Sequence, residues 1–128
     1  MKKKILIVIA NYYKDVSEAL LKSAHNELNK FAKIKIIEVP GVFEIPVTIV
    51  KNIKNFDGFV ALGCVIQGET PHFKFISKSV TDSIMYISVD YKKPIGNGIL
   101  TCLNIDQANA RGRKGAEAAH AVKSVLSQ

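Results

Sequence analysis

The chain has 128 residues, of which 48% are apolar and 23% are charged. These values predict one globular domain over residues 1–128, with a core that needs neither disulfide bonds nor a structural metal. The net charge of +7 leaves nucleic acid, an anionic membrane or a phosphorylated substrate as partners. Because the lysines are spread over several predicted elements, we interpret most of this charge as a solvated surface. We therefore expect neither nucleic-acid nor membrane binding.

The amino-terminal apolar run follows three lysines, as in a secretion signal. It covers only residues 5–10, and polar residues follow it instead of a small-residue cleavage site. Such a run is typical of a strand covered on both faces. Cys64 and Cys102 also lie in apolar runs, without partners at metal-ligand spacing. They indicate buried, reduced thiols in a cytoplasmic protein.

Apolar strands and amphipathic helices alternate along the chain. The predicted strands are residues 5–10, 33–39, 59–62 and 98–103. The predicted helices are 16–31, about 45–54, 71–87, a short one ending near 112, and 114–127. This βαβαβαβα order predicts an α/β fold, a three-layer α/β/α sandwich with a four-stranded parallel sheet. Ligands are expected in the crevice outside the carboxyl ends of the strands.

Three predicted helices begin with capping residues. Asp15, followed three residues later by a glutamate, is predicted to cap the first helix. Thr70 is predicted as the N-cap of the third helix, with Pro71 at its first position. Asn104, followed three residues later by a glutamine, predicts another capping box.

The segment 61–73, ALGCVIQGETPHF, carries the densest set of reactive groups. An apolar strand is predicted to leave the sheet at Gly63 and to reach a helix start at His72. An imidazole titrates near neutral pH, and a glycine such as Gly68 followed by helix-start N–H groups suits phosphate. The absence of GxxxxGK[ST] and GxGxxG patterns disfavours nucleotide-binding enzymes of those types. The segment predicts a small anionic substrate and proton transfer.

Other candidate residues allow two interpretations each. Arg111 could hold phosphate in a fork, or its charge could complement a helix end. Tyr12 and Phe43 follow the first two strands, where a ring could stack on a heteroaromatic ligand or pack onto the sheet. Asn97, within an apolar strand, could bond a ligand or satisfy a bulge.

Four segments together resemble the lumazine synthase family. They are VPGVFEIP at 39–46, the 61–73 segment, GILT at 98–101 and KGAEAA at 114–119. They occur in family order and span nearly the whole chain. The resemblance implies a flavodoxin-like fold without metal or organic cofactor. It also implies condensation of 5-amino-6-(D-ribitylamino)uracil with 3,4-dihydroxy-2-butanone 4-phosphate to 6,7-dimethyl-8-ribityllumazine, with release of phosphate and water, in riboflavin biosynthesis.

The same resemblance assigns site residues by position. His72 is the implied catalytic proton donor and acceptor. The implied pyrimidine-binding residues are Tyr12, Val42, Phe43, Glu44, Cys64, Val65, Ile66 and Asn97. The implied residues for the butanone phosphate are Glu69, Thr70 and Arg111. In the family, a neighbouring subunit contributes the positions of Asn97 and Arg111.

Some positions depart from the family pattern. Tyr12 stands where Phe or Trp is more usual, Tyr13 replaces a frequent Asn, and Gln67 stands where Arg is common. Asn97 stands where Phe often occurs, which removes an apolar wall. The stretch before Lys114 is shorter than in many members, so Lys114 receives no catalytic role.

The resemblance further implies small-molecule substrates and a homo-oligomer with sites between subunits. We favour a free pentamer because the chain begins directly with its first strand. A decamer, a sixty-subunit shell and association with riboflavin synthase remain open. Two other functions stay as alternatives, an archaeal-type riboflavin synthase and a non-catalytic flavin- or phosphate-binding flavodoxin-like module. A basic nucleic-acid-binding protein has only the net charge in its favour.

Overall fold

The structure, a computed structural model, describes residues 2–128; Met1, the first residue of the predicted domain, lies outside the described residues. The strands are β1 (Lys3–Ala10), β2 (Ala32–Val39), β3 (Gly58–Ile66) and β4 (Ile95–Cys102). The helices are α1 (Lys14–Leu28), α2 (Ile45–Lys51), α3 (His72–Tyr91), α4 (Ile105–Asn109) and α5 (Lys114–Leu126). A single 3-10 turn, Val42–Glu44, precedes α2. This element order confirms the predicted α/β fold.

The four strands form one parallel sheet in the order β2-β1-β3-β4. The chain moves outward from β1 to β2, then returns to the other side of β1 to form β3. Such a reversal opens a crevice at the carboxyl ends of β1 and β3, where flavodoxin-like sheets bind their ligands. The predicted parallel, flavodoxin-like sandwich is therefore confirmed, and β2 and β4 are its edges.

The core lies on both faces of the sheet. Because side chains alternate along a strand, Ile5, Ile7 and Ile9 join a cluster with buried residues of α1 and α5. The even-numbered residues Leu6 and Val8 join a second cluster with buried residues of α2 and α3. All of residues 5–10 are buried, as a strand covered on both faces requires. Within residues 2–128, the helices are too short or too polar to cross a membrane.

Two of the predicted helix caps are wrong. The N-cap of α1 is Tyr13, and Asp15 lies in the first turn, where its charge favours the helix dipole without a capping bond. The N-cap of α3 is Pro71. Thr70 precedes it and accepts a long hydrogen bond from the His72 N–H at 3.4 Å. Helix α1 also ends at Leu28, before the predicted end at residue 31.

The third predicted cap is confirmed. The Asn104 Oδ1 accepts from the Gln107 N–H at 2.9 Å, and the Gln107 Oε1 accepts from the Leu103 N–H at 2.8 Å. The two side chains therefore satisfy backbone donors reciprocally, as in a capping box.

Strands β3 and β4 are longer than predicted. The β3–β4 pairing runs from Phe59–Ile95 to Ile66–Cys102, so the polar loop begins at Gln67 and not at Gly63. Gly63 continues the strand because the space beside it is already filled. A Cβ there would lie 2.7 Å from Val42 Cγ1. The missing side chain lets the Val42–Glu44 turn close onto the sheet.

Candidate active site

Three turns surround the crevice at the carboxyl ends of the central strands. They follow β1 at residues 11–13, β2 at 40–44 and β3 at 67–71. Val42 is buried in the cluster that also contains Ala10 and Ala61. This packing holds the turn at 42–44 over the ends of β1 and β3 and fixes the positions of the residues that follow Val42.

Two aromatic rings are exposed around this crevice. Tyr12 is 75% exposed and Phe43 is 63% exposed. Tyr13 is half-buried, packs against the α1–α5 cluster, and meets the Tyr12 ring edge-on with centroids 4.9 Å apart. Burial raises the pKa of the Tyr13 hydroxyl, with a smaller contribution from Cys64. Tyr13 thus anchors the turn and leaves the Tyr12 ring free to stack on a ligand.

The end of β3 has one open backbone edge. Its pairing with β1 stops at Ile9–Leu62, whereas its pairing with β4 continues to Ile66–Cys102. Because β1 ends at Ala10, beside Gly63, the backbone groups on the β1 side of residues 64–66 lie beyond the end of their neighbouring strand. Such groups can hydrogen-bond a planar amide-like ring. This geometry suits the backbone contacts predicted for Cys64, Val65 and Ile66.

The Cys64 side chain is buried and is not suited to act as a nucleophile. Cys64 and Cys102 are buried and free, in agreement with the prediction. Burial, reinforced by the neighbouring Cys102, raises the pKa of the Cys64 thiol from 9.0 to about 11. The thiol is therefore neutral at pH 7, and a nucleophilic role is disfavoured.

We expect the Cys64 thiol to make stability fall in alkali. Its pKa is higher in the folded state, so above about pH 9 the unfolded chain loses the proton first and unfolding is favoured. The free energy of unfolding should decrease between about pH 9 and 11. Urea titrations at about pH 8 and 10.5 should show a smaller decrease for Cys64→Ala than for the unsubstituted protein. Equal decreases would contradict this assignment.

His72, Glu69 and Thr70 are exposed where β3 leads into α3. His72 is the first residue of the 20-residue helix α3, and its N-cap supplies no side-chain hydrogen bond. The first N–H groups of a helix have no partner within it. Here the His72 N–H meets the Thr70 hydroxyl and the Lys74 N–H donates to the Pro71 carbonyl, so within residues 2–128 the Phe73 N–H is the donor of this turn left without a partner. The helix start therefore presents this donor, the Thr70 hydroxyl and an imidazole to the same solvent space.

The turn that carries Arg111 lies in the opposite layer. Arg111 is exposed between α4 and α5. The Ser23 hydroxyl of α1 donates to the Gly112 carbonyl at 2.7 Å and accepts from the Ala116 N–H at 3.0 Å. The turn is thereby fixed on α1, whereas α3 covers the other face of the sheet. Sequence reasoning missed Ser23, because an isolated serine in a helix carries no signal.

Asn97 also lies away from the crevice of its own chain. It pairs with Ala61, five residues before Ile66, or roughly 16 Å along the strand. Its Oδ1 accepts from the Ile99 N–H at 3.0 Å. Asn97 is half-buried on the edge strand β4. One chain therefore gathers the residues of the three turns but brings neither Asn97 nor Arg111 to them.

A polar pair beside Tyr12 was also missed. The Asn11 Nδ2 donates to the Glu38 Oε1 at 2.7 Å, which ties the end of β1 to β2. The Asn11 Oδ1 is buried without a hydrogen-bond partner. In residues 2–128, no group of three or more His, Cys, Asp or Glu side chains is placed to hold a metal ion.

Comparisons with known proteins identify the family. A model of the 6,7-dimethyl-8-ribityllumazine synthase family matches residues 2–128. A protein of that name from Bartonella tribocorum is 44% identical over 120 residues, which cover 89% of this chain and 80% of the relative. One from Polynucleobacter necessarius is 44% identical, over 93% of this chain and 74% of the relative. One from Corynebacterium kroppenstedtii is 38% identical, over 90% and 77%. The chain belongs to the 6,7-dimethyl-8-ribityllumazine synthase family.

Proposed function

We propose that the crevice of this chain condenses 5-amino-6-(D-ribitylamino)uracil with 3,4-dihydroxy-2-butanone 4-phosphate. Membership of the family makes the chain a transferase of riboflavin biosynthesis. The relatives carry the name of the synthase, which does not favour a riboflavin synthase or a non-catalytic module. The observation that carries the site is the open backbone edge of β3 beside two exposed aromatic rings.

The pyrimidine would occupy the space over the end of β3. Backbone groups of residues 64–66 can bond its ring edge, and the Tyr12 ring can stack on its face. Val42 supports the turn from which the Phe43 ring and the Glu44 carboxylate reach the ligand. A carboxylate accepts hydrogen bonds from hydroxyl groups, so Glu44 suits the ribityl chain.

The butanone phosphate would lie at the start of α3. The unpaired Phe73 N–H and the positive end of the helix dipole favour an anion there, and the Thr70 hydroxyl can donate to it. Glu69 directly precedes Thr70 in the chain, so its carboxylate can accept a hydrogen bond from a hydroxyl group of the same substrate. Arg111 would complete the site from an adjacent subunit, because a guanidinium binds phosphate in a fork. Asn97 would reach the pyrimidine from that same subunit.

His72 would move the protons of the reaction. The substrate amine attacks the ketone and water leaves as the imine forms; phosphate is then eliminated, and closure of the ring releases a second water. Each stage transfers a proton to or from nitrogen, oxygen or carbon. An imidazole can both donate and accept a proton. His72 faces the solvent space next to the proposed phosphate position, so it is the group best placed for these transfers.

The surface of α2 and α3 supports a homo-oligomer, which we propose is a pentamer of single-domain subunits (residues 1–128) in the cytoplasm. Large apolar patches on one chain mark surfaces that a partner covers. Eight exposed apolar residues lie on the 42–44 turn, α2 and α3. They are Phe43, Val47, Val50, Phe75, Met85, Tyr86, Val89 and Tyr91. If another copy of the chain covered this surface, Arg111 and Asn97 of one subunit could reach the crevice of its neighbour. Within their own chain these two residues lie away from the crevice.

The activity itself is tested with the purified protein and both substrates. Lumazine absorbance should rise faster than in the spontaneous reaction, in proportion to the protein concentration. No rise at any protein concentration would remove the enzyme assignment and leave the non-catalytic module.

Substitution of His72 should slow turnover without preventing it. Loss of one acid–base group typically costs about 10²- to 10⁴-fold, and the spontaneous reaction sets a floor. We expect His72→Ala to lower kcat by about tenfold to a few hundredfold. His25→Ala, which removes an exposed histidine from α1, is the matched control and should retain full activity. Equal kcat values for His72→Ala and the control would exclude the proton-transfer role.

Substitution of Arg111 should weaken binding of the phosphorylated substrate. A charge-assisted hydrogen bond contributes about 1.5–3 kcal/mol, so Arg111→Ala should raise the KM for the butanone phosphate by about tenfold or more. Arg113→Ala, an exposed arginine two residues further on, is the control. Co-assembled His72→Ala and Arg111→Ala subunits should regain about one quarter of the intact sites, because a head-to-tail interface can pair the two unsubstituted residues. No recovery on mixing would contradict the shared site.

A further inference from the structure

The folded chain gathers lysines that are distant in sequence at the amino ends of the strands. A cavity of about 520 Å³ lies there, at the end of the sheet opposite the candidate active site. Five of its eight lining residues are lysines, and Asp57 is its only carboxylate. The lysines are Lys2, Lys4, Lys33, Lys54 and Lys93. The cavity thus carries four more positive than negative charges.

The wall of this cavity is fixed by hydrogen bonds. The Asp57 N–H donates to the Lys4 carbonyl, and the Lys4 N–H donates to the Asp57 Oδ2, both at 2.8 Å. The Lys93 Nζ donates to the carbonyls of Ile53 and Phe56 at 2.5 and 2.9 Å. These bonds join the start of β1, the turn before β3 and the turn before β4. The Lys93 ammonium keeps one further N–H for a ligand.

Among the lining residues, Asp57 offsets one of the five lysine charges, and the other four are not balanced. Lys4 and Lys33 are directly paired neighbours on β1 and β2, an arrangement in which like charges destabilise a sheet. The ion pairs in residues 2–128 join Lys78 to Asp82 and Lys123 to Glu27, so they include none of the cavity lysines. An anion in the cavity would relieve this repulsion.

We propose that this cavity binds a small molecule through two or more linked phosphate groups. A terminal phosphate carries about −1.5 to −2 charge at pH 7, so one phosphate would balance at most half of the excess charge. The volume lies in the range of small-molecule sites, about 300–1,000 Å³, and exceeds what one phosphate needs. Lysines act as point charges on flexible stems, which suits a phosphate chain better than one planar group.

Phe56 indicates that the ligand could have a flat apolar part beside its phosphates. Its half-buried ring lines the cavity and packs edge-on against Phe59, with centroids 6.1 Å apart. It offers a fixed apolar surface beside the lysines. A nucleoside diphosphate could place its base there and its phosphates on the lysines, whereas inorganic pyrophosphate would use the lysines alone. The concave shape favours such a ligand over a nucleic-acid strand.

Calorimetric titration of the full chain tests the site in the Arg111→Ala background, which weakens the proposed catalytic phosphate position. At low salt, pyrophosphate and adenosine diphosphate should each bind with one site per chain, at least about tenfold more tightly than inorganic phosphate. Tighter binding of the nucleotide than of pyrophosphate would identify a nucleoside ligand, and equal binding would identify the phosphates alone. The affinity should fall as ionic strength rises.

Charge-matched variants decide where these ligands bind. Lys33→Gln with Lys54→Gln should weaken pyrophosphate binding by about tenfold or more, because two charged hydrogen-bond donors to the phosphates are lost. Lys14→Gln with Lys22→Gln, which removes two exposed lysines from α1, should leave it unchanged. An equal loss in both pairs would overturn the proposal in favour of a general charge atmosphere. Equal affinity for phosphate and pyrophosphate, or displacement of pyrophosphate by a short oligonucleotide at lower concentration, would overturn it as well.

Discussion

Gly115→Ala is expected to destabilise the protein by about 3 kcal/mol, a fall of roughly 10 °C in Tm. Gly115 is the second residue of α5 and lies directly against α1. An added Cβ would be 2.1 Å from the Leu20 carbonyl oxygen and 2.6 Å from the Ser23 Oγ. Since the first of these atoms is backbone, α5 would have to move away from α1. That movement would also break the Ser23 bonds that hold the turn of Arg111.

The sign of the stability change for Gly115→Ala shows whether α5 packs closely on α1. In a helix that made no such contact, replacing glycine by alanine would stabilise by up to about 1 kcal/mol. Gly68→Ala is the matched control, since an added Cβ there meets no atom within 4 Å and its stability should change by less than about 0.5 kcal/mol. Thermal unfolding of both variants, followed by circular dichroism, measures the difference. An unchanged or higher Tm for Gly115→Ala would contradict the close packing of α5 on α1.

Local patterns were sufficient to predict the order of the elements. An apolar run such as 5–10 and the helical spacing within α1 depend on neighbouring residues, so the sequence carries them directly. Gly63 shows where local reasoning fails. The sequence predicts that the strand leaves the sheet at Gly63, and a glycine does usually weaken a strand. The structure retains the strand because Val42, from another turn, fills the space that a side chain would take.

In the candidate site, too, some residues follow from local sequence and others depend on distant partners. Residues next to strand ends, such as Tyr12 and His72, could be predicted because the ends of parallel strands meet at one edge. The positioning groups Ser23 and Asn11 could not, because their partners lie 89 and 27 residues away. The lysines of the cavity at the amino ends of the strands are scattered along the sequence, so their clustering could not be predicted for the same reason. Their convergence depends on the sheet order, which places the start of β1 beside Lys33 and Asp57.

Val89→Glu is expected to separate the subunits and to lower activity by about 100-fold or more. Val89 is 69% exposed on α3, on the same helix face as Met85 and Tyr86, which are 63% and 76% exposed. In an assembly this face would be desolvated, and burying an unpaired carboxylate costs several kcal/mol. A separated subunit keeps His72 but lacks the Arg111 of its neighbour. The loss of activity should therefore exceed that of Arg111→Ala alone.

Mass in solution and the unfolding transition separate assembly from folding. Val89→Glu should give the mass of one chain with helical content retained, because the side chain is solvent-exposed in the single subunit. Val125→Glu, a matched change at an exposed valine of α5, should keep both the assembly and the activity. If Val89→Glu remained oligomeric and active, the α2–α3 surface would not be the contact between subunits. If it became monomeric but stayed fully active, a single chain would suffice for catalysis and the shared site would be wrong.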